Sequence, residues 1–203
     1  GVEDASEWGD ADVRIGLQVY ASGDEVENVT VRNLRVRNWG LGVEIGNFRD
    51  ARPAEATLDD VTASENEDDG IFLVSASGST LRDVSADRNG LDGITLWESS
   101  DVTFERVSAS ENGDEGIFLW DTILESEFTR VTAMDNGGDG ILASTDVSRN
   151  TISDATVAAL STWGDPDAEA ERHGLPAANV YEEDGPEELL AAVREALPAD
   201  TPG

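Results

Sequence analysis

Residues 112–120 read NGDEGIFLW: a turn residue, a glycine, two carboxylates, a second glycine and an apolar run ending in tryptophan. Nearly the same phrase stands upstream as NEDDGIFLV (66–74) and NGLDGITLW (89–97), and downstream as NGGDGILAS (136–144). Pairing each Asn with the glycine four residues on gives Asn38/Gly42, Asn66/Gly70, Asn89/Gly93, Asn112/Gly116 and Asn136/Gly140, with glycines 28, 23, 23 and 24 residues apart. The first and third residues after each glycine are apolar: Val43/Ile45, Ile71/Leu73, Ile94/Leu96, Ile117/Leu119 and Ile141/Ala143. Period two after a glycine turn predicts a short strand with one buried face. GLQVY at 16–20 reads as an earlier copy of the same strand.

A second apolar triplet precedes each Asn: Leu58/Val61/Ala63, Leu81/Val84/Ala86, Phe104/Val107/Ala109 and Phe128/Val131/Ala133, opened by Val31/Leu34/Val36 and closed by Ile152/Ala155/Val157. Self-similarity at this period means a stacked repeat. Ankyrin and tetratricopeptide repeats need helices, which the Gly, Asn and β-branched residues of every copy disfavour. The leucine-dense consensus of a leucine-rich repeat is missing. Two or three short strands per copy, joined by turns, fit one rung of a parallel β-helix, with copies stacked about 4.8 Å apart. The repeated Asn then occupies equivalent turns, where its side chain can bond the backbone of adjacent rungs.

The run NGLDGITLWESSDVTFERVSASENGDEGIFLW (89–120) resembles the right-handed parallel β-helix repeats of the pectin-lyase-like superfamily. It is most similar to repeats of carbohydrate-binding proteins and sugar hydrolases, and of the periplasmic copper-maturation protein of nitrous-oxide reductase. TWGDP at 162–166 resembles a segment that follows such repeats in haloarchaeal surface proteins. The resemblance spans about residues 13–166 and implies a scaffold rather than a site. The expected fold class is therefore all-β: a right-handed parallel β-helix of about six rungs over 13–160, after a lead-in over 1–12. Residues 161–203 are expected to form a cap. Within it, DGPEELLAAVREAL (184–197) predicts a short α-helix near 186–197, with Leu189, Leu190, Val193 and Leu197 on one face.

Charge narrows the function. The 203-residue chain carries 13 basic and 44 acidic residues, a net charge of −31, and every basic residue is arginine. Nucleic acid and anionic membrane surfaces both need a basic face. No apolar stretch approaches the ~18 residues of a membrane span. Such acidity suits a salt-adapted surface, where self-repulsion is screened. Cysteine is absent, which excludes disulfides and thiolate metal sites. Gly1-Val2-Glu3-Asp4 has neither the basic nor the apolar segment of a signal peptide, so the chain reads as a mature product or a fragment.

The residues pointing away from the core suggest the site. The second and fourth positions after each glycine should face outward, which places Trp97 beside Trp120 with Phe72 and Phe118 flanking them. An aromatic strip of this kind suits sugar rings or a protein partner; the C-terminal segment folding back over it is the other expectation. The residues just before the glycines, Asp69, Asp92, Glu115 and Asp139, should stack along one turn edge, where calcium could bridge them or salt could screen them. Arginines alternate with acids between rungs, as Asp59/Arg82/Glu105, Glu65/Arg88/Glu111 and Asp83/Arg106, and are read as cross-strand ion pairs.

For enzymes, the resemblance implies a polysaccharide lyase, epimerase or hydrolase. The Gly-His-Gly element of the polygalacturonate hydrolases is not matched, since the only histidine, His173, lies in ERHGL. One His and one Met make a poor copper ligand set. The expected function is thus a non-catalytic module of an exported or cell-surface protein that binds a polysaccharide or a protein partner through Phe72, Trp97, Phe118 and Trp120. A polysaccharide-active enzyme and a purely structural segment of a longer surface protein are the alternatives.

Overall fold

A computed structural model of the chain describes residues 14–20, 28–46, 55–144, 147–158 and 160–162. Its strands are β1 (Ile15–Tyr20), β2 (Val29–Val36), β3 (Leu41–Gly46), β4 (Ala56–Ala63), β5 (Ile71–Val74), β6 (Thr80–Ser85), β7 (Ile94–Trp97), β8 (Thr103–Ser108), β9 (Ile117–Trp120), β10 (Ile123–Leu124), β11 (Glu127–Ala133), β12 (Ile141–Ala143), β13 (Val147–Ser148), β14 (Thr151–Ser153), β15 (Thr156–Val157) and β16 (Leu160–Thr162). The glycine strands form one parallel sheet in the order β1-β3-β5-β7-β9-β12-β16. The strands between them form a second, in the order β2-β4-β6-β8-β11-β14, with β15 also pairing with β11. The chain is a parallel β-solenoid of about five turns, with no helix among the described residues. The cap helix expected over 186–197 and the lead-in over 1–12 lie outside the described residues.

Register follows the repeat. Ile71, Ile94, Ile117 and Ile141 pair in sequence along one sheet, as do Leu58, Leu81, Phe104 and Phe128 along the other. All eight are fully buried, and the Phe104 and Phe128 rings stack with centroids 4.6 Å apart. Like side chains stack on like because the parallel register brings equivalent positions together at every step. Gln18 pairs with Glu44, and Gly16 is the second residue of β1 as Gly42 is of β3, which bears out the early copy at 16–20.

The triplet spacing has a backbone cause. Two inward residues three apart, such as Leu58 and Val61, cannot share one face of a straight strand. Asn33, Asp60, Asp83, Arg106, Arg130 and Asp154 lie between such pairs with φ of 50° to 58°. One residue in the left-handed region bends the strand there and returns the next apolar side chain to the core.

The repeated Asn forms a ladder through the turns. The side-chain oxygen of Asn89 accepts the backbone N–H of Asn66 at 3.1 Å and its side-chain amide at 3.0 Å. Asn112 does the same for Asn89, and Asn136 for Asn112. Each Asn packs against the motif glycine of the preceding rung: a Cβ on Gly93 would lie 2.6 Å from Asn112 Nδ2 and 2.6 Å from the Gly116 carbonyl. Asn and Gly therefore repeat together because each occupies space that only the other leaves. The first rung departs from the expected pairing. Trp39, not Asn38, stands in the ladder, its N–H donating to Asn66 Oδ1 at 3.2 Å. Asn38 instead joins Glu65, Arg88, Glu111 and Asp135 in a left-handed column, because this turn has one residue fewer before its glycine.

The ion pairs between rungs form largely as expected. Arg82 reaches Asp59 at 2.9 Å and Arg106 reaches Asp83 at 2.6 Å, while Arg88 lies 3.9 Å from Glu65 and 4.0 Å from Glu111. Glu105 pairs with Arg106 and Arg130.

Candidate functional site: an aromatic stack beside an acidic turn edge

The aromatic side chains lie on the outer face of the glycine-strand sheet. Val74 pairs with Trp97 and Trp97 with Trp120; Phe72 pairs with Thr95 and Thr95 with Phe118. Three rungs thus bring all four expected aromatics together. Their rings stack in the order Phe72, Trp97, Trp120, Phe118, with centroid separations of 6.5, 4.9 and 5.8 Å and planes within 18° of one another. Near-parallel rings at these separations are offset, so each covers part of its neighbour's face. Trp120 is 41% exposed and Phe72, Trp97 and Phe118 are half-buried.

The strip is narrower than strand alternation predicts. Glu44, Val74, Thr95, Leu142 and Ser144 also hold outward positions, yet all are buried. Thr95 sits in register between Phe72 and Phe118, a small side chain flanked by two large ones. Glu44 takes a hydrogen bond from Gln18 Nε2 at 2.9 Å, and burial pushes its carboxyl above the usual range.

The acids before the glycines stack as expected, each turn passing a backbone hydrogen bond to the next: the N–H groups of Gly70, Gly93 and Gly116 donate to the carbonyls of Asp92, Glu115 and Asp139. Their side chains do more than repel. Asp69 Oδ1 accepts the N–H of Asp92 at 3.1 Å, and Asp92 Oδ1 accepts that of Glu115 at 2.9 Å. Thr95 Oγ1 lies 3.1 Å from Asp69 Oδ2 and 3.1 Å from Asp92 Oδ2. A hydroxyl has one proton to donate, so a proton on one carboxyl satisfies the second contact.

Burial followed by the Asp92 charge pushes the Asp69 carboxyl up to about 7. Burial also raises Asp92. Glu115 is pushed up to about 9, by burial first and then by hydrogen bonding to Asp114.

Carboxylate oxygens of Asp92, Asp114 and Glu115 all lie within 4.8 Å of one another. These three are the acids that could share a cation among the described residues; Asp69 and Asp139 stand in the row but not in that group. Asp114 and Thr95 were not expected from sequence. Asp114 is one of many adjacent acids, whereas Thr95 could have been found as the only hydroxyl in the column Phe72, Thr95, Phe118.

Stacked parallel rungs, an asparagine ladder and bent second strands define a parallel β-helix protein with an aromatic and acidic face. The chain belongs to the right-handed β-helix region family, whose model matches residues 14–166. No curated protein matches it.

Proposed function

We infer that the chain is a non-catalytic glycan-binding module of a salt-adapted protein, exported or held at the cell surface. One observation carries this: the stacked aromatics and the buried carboxyl groups occupy the same face, joined through Thr95. Sugar recognition needs both, an apolar edge or face for the ring and polar groups that orient its hydroxyls. An apolar strip alone would fit a protein partner as well. The net charge of −31 supports the salt-adapted setting. Calcium belongs to this reading at Asp92, Asp114 and Glu115, whose oxygen ligands suit it.

Tryptophan fluorescence in molar potassium chloride, titrated with neutral, amine-bearing and acidic polysaccharides, tests the proposal. A saturable change lost in Trp97→Ala/Trp120→Ala, with the far-ultraviolet spectrum unchanged, supports it. Silence across the panel removes the glycan and leaves a protein partner. A rise in the unfolding midpoint on adding calcium at pH 8, absent in Glu115→Gln, supports the cation; no rise removes it.

A second reading has its own observation. Asp69, raised to about 7 beside Asp92, has the character of the acid in a two-carboxylate glycosidase. Reducing ends released from a bound glycan, and lost in Asp69→Asn, would make the module an enzyme.

A further inference from the structure

Three asparagines of the ladder are each followed by glycine: Asn89-Gly90, Asn112-Gly113 and Asn136-Gly137. The pair is chemically weak. A glycine has no side chain to hold its backbone nitrogen away from the asparagine carboxamide, and its free φ and ψ let the two approach. Packing imposes the glycine all the same. A Cβ would lie 2.0 Å from the Glu67 carbonyl oxygen at Gly90, 2.1 Å from that of Gly90 at Gly113, and 2.1 Å from that of Gly113 at Gly137. The fold therefore repeats a labile dipeptide and has to protect it.

The ladder supplies that protection unevenly. In the closed turns the N–H groups of Gly90, Gly113 and Gly137 donate to the carbonyls of Asn66, Asn89 and Asn112 at 2.9, 2.8 and 2.9 Å. The attacking nitrogen is thus engaged in all three, and reaction waits on local opening. Asn89 and Asn112 are both buried. Each accepts from the asparagine before it and donates, through backbone and side-chain N–H, to the one after. Asn136 is half-buried and is the last asparagine of the ladder among the described residues. It accepts from Asn112, and its own amide donates to the Ala109 carbonyl at 3.1 Å. Opening this turn forfeits fewer buried bonds, so it opens more often.

We propose that Asn136 is a deamidation site, the position where the ladder leaves an Asn-Gly pair open to reaction in the folded chain. In the opened turn the Gly137 nitrogen attacks Asn136 Cγ. The Cγ–Nδ2 bond breaks, and ammonia leaves with the proton from the Gly137 nitrogen, giving a cyclic imide. Water then opens the imide at either carbonyl, to an aspartate or to its isoaspartyl isomer. The aspartate sets an oxygen against the Ala109 carbonyl where Nδ2 had donated. The isoaspartyl form lengthens the main chain by a methylene where Gly137 already lies against Gly113. This turn leads into β12, which pairs with the strand bearing Phe118 and Trp120, so the damage falls on the rung bordering the aromatic strip.

The test incubates the folded chain in mildly alkaline molar potassium chloride, with a second sample unfolded in urea. Trypsin cuts after Arg88, Arg106, Arg130 and Arg149, which puts each Asn-Gly pair in its own peptide, 89–106, 107–130 and 131–149. Mass spectrometry reads the amide-to-acid change in each, against an unincubated control for loss during digestion. In the folded chain Asn136 should react at least about tenfold faster than Asn89 or Asn112. In urea the three rates should converge, since the ladder is gone. Equal rates in the folded chain would show reaction through global unfolding and overturn the proposal. So would a faster rate at Asn89 or Asn112, or no reaction at Asn136 while the urea sample reacts. Asn136→Asp reproduces the normal-backbone product and should lower the urea midpoint; an unchanged midpoint overturns the claim that the modification loosens this turn.

Discussion

Replacing Asn89 by alanine removes one step of the asparagine ladder from the middle of the solenoid. Three groups lose their partners: the backbone N–H of Asn66, its side-chain amide and the carbonyl of Ala63, which accepts from Asn89 Nδ2 at 3.1 Å. The side-chain oxygen of Asn112 keeps one donor, the backbone N–H of residue 89, at 2.9 Å. Asn66 and Asn89 are both buried, so water cannot replace these bonds without opening the turn. An orphaned buried group costs about 1–3 kcal/mol, and three such groups with partial relaxation cost about 3–5 kcal/mol. Asn136 makes the matching bonds, to the N–H and side chain of Asn112 and to the Ala109 carbonyl at 3.1 Å, but is only half-buried. Solvent reaches that turn, and Asn136→Ala should cost about 1–2 kcal/mol. Urea unfolding in constant potassium chloride measures both, since urea leaves ionic strength unchanged. A loss at position 89 below about 1 kcal/mol, or one equal to that at position 136, would refute the argument that burial makes the ladder stabilising.

The acidic edge predicts an inverted pH dependence. Asp69 binds its proton more tightly folded than unfolded, so its contribution is complete below about pH 4 and is lost as pH rises through about 7. The urea midpoint should fall between those limits, and Asp69→Asn should flatten the slope; an unchanged slope would show that the carboxyl is not desolvated. Gly93→Ala places a methyl group against Asn112 Nδ2 and two backbone oxygens, and should destabilise by at least about 2 kcal/mol in the same urea assay. Glu98 is exposed with φ of 48°, a conformation asparagine tolerates better, so Glu98→Asn should raise stability by about 0.5 kcal/mol; a decrease would point to a contact made by the Glu98 carboxylate.

The spacing of Asn, Gly and the paired apolar residues was enough to set rung length, strand register and the inward-facing set. In a solenoid each rung meets only its neighbours, so a local pattern repeated at fixed period already encodes the tertiary contacts. The same logic placed Phe72, Trp97, Phe118 and Trp120 on adjacent rungs and put the acids of the turn edge in line. Other features needed the fold. The first turn's missing residue moved Asn38 out of the ladder, which depends on where the chain bends and not on which residue is present. Burial of Thr95, Glu44 and Leu142 is set by what packs around them in space, so alternation along one strand could not reveal it. The raised affinity of Asp69 and Glu115 for protons has the same origin, because desolvation is set by what surrounds a carboxyl in space. Sequence by itself determined which side chains stack, since stacking here is periodicity. Only the tertiary structure decided which of them are sealed from water, and so which carboxyl groups the aromatic strip brings into play.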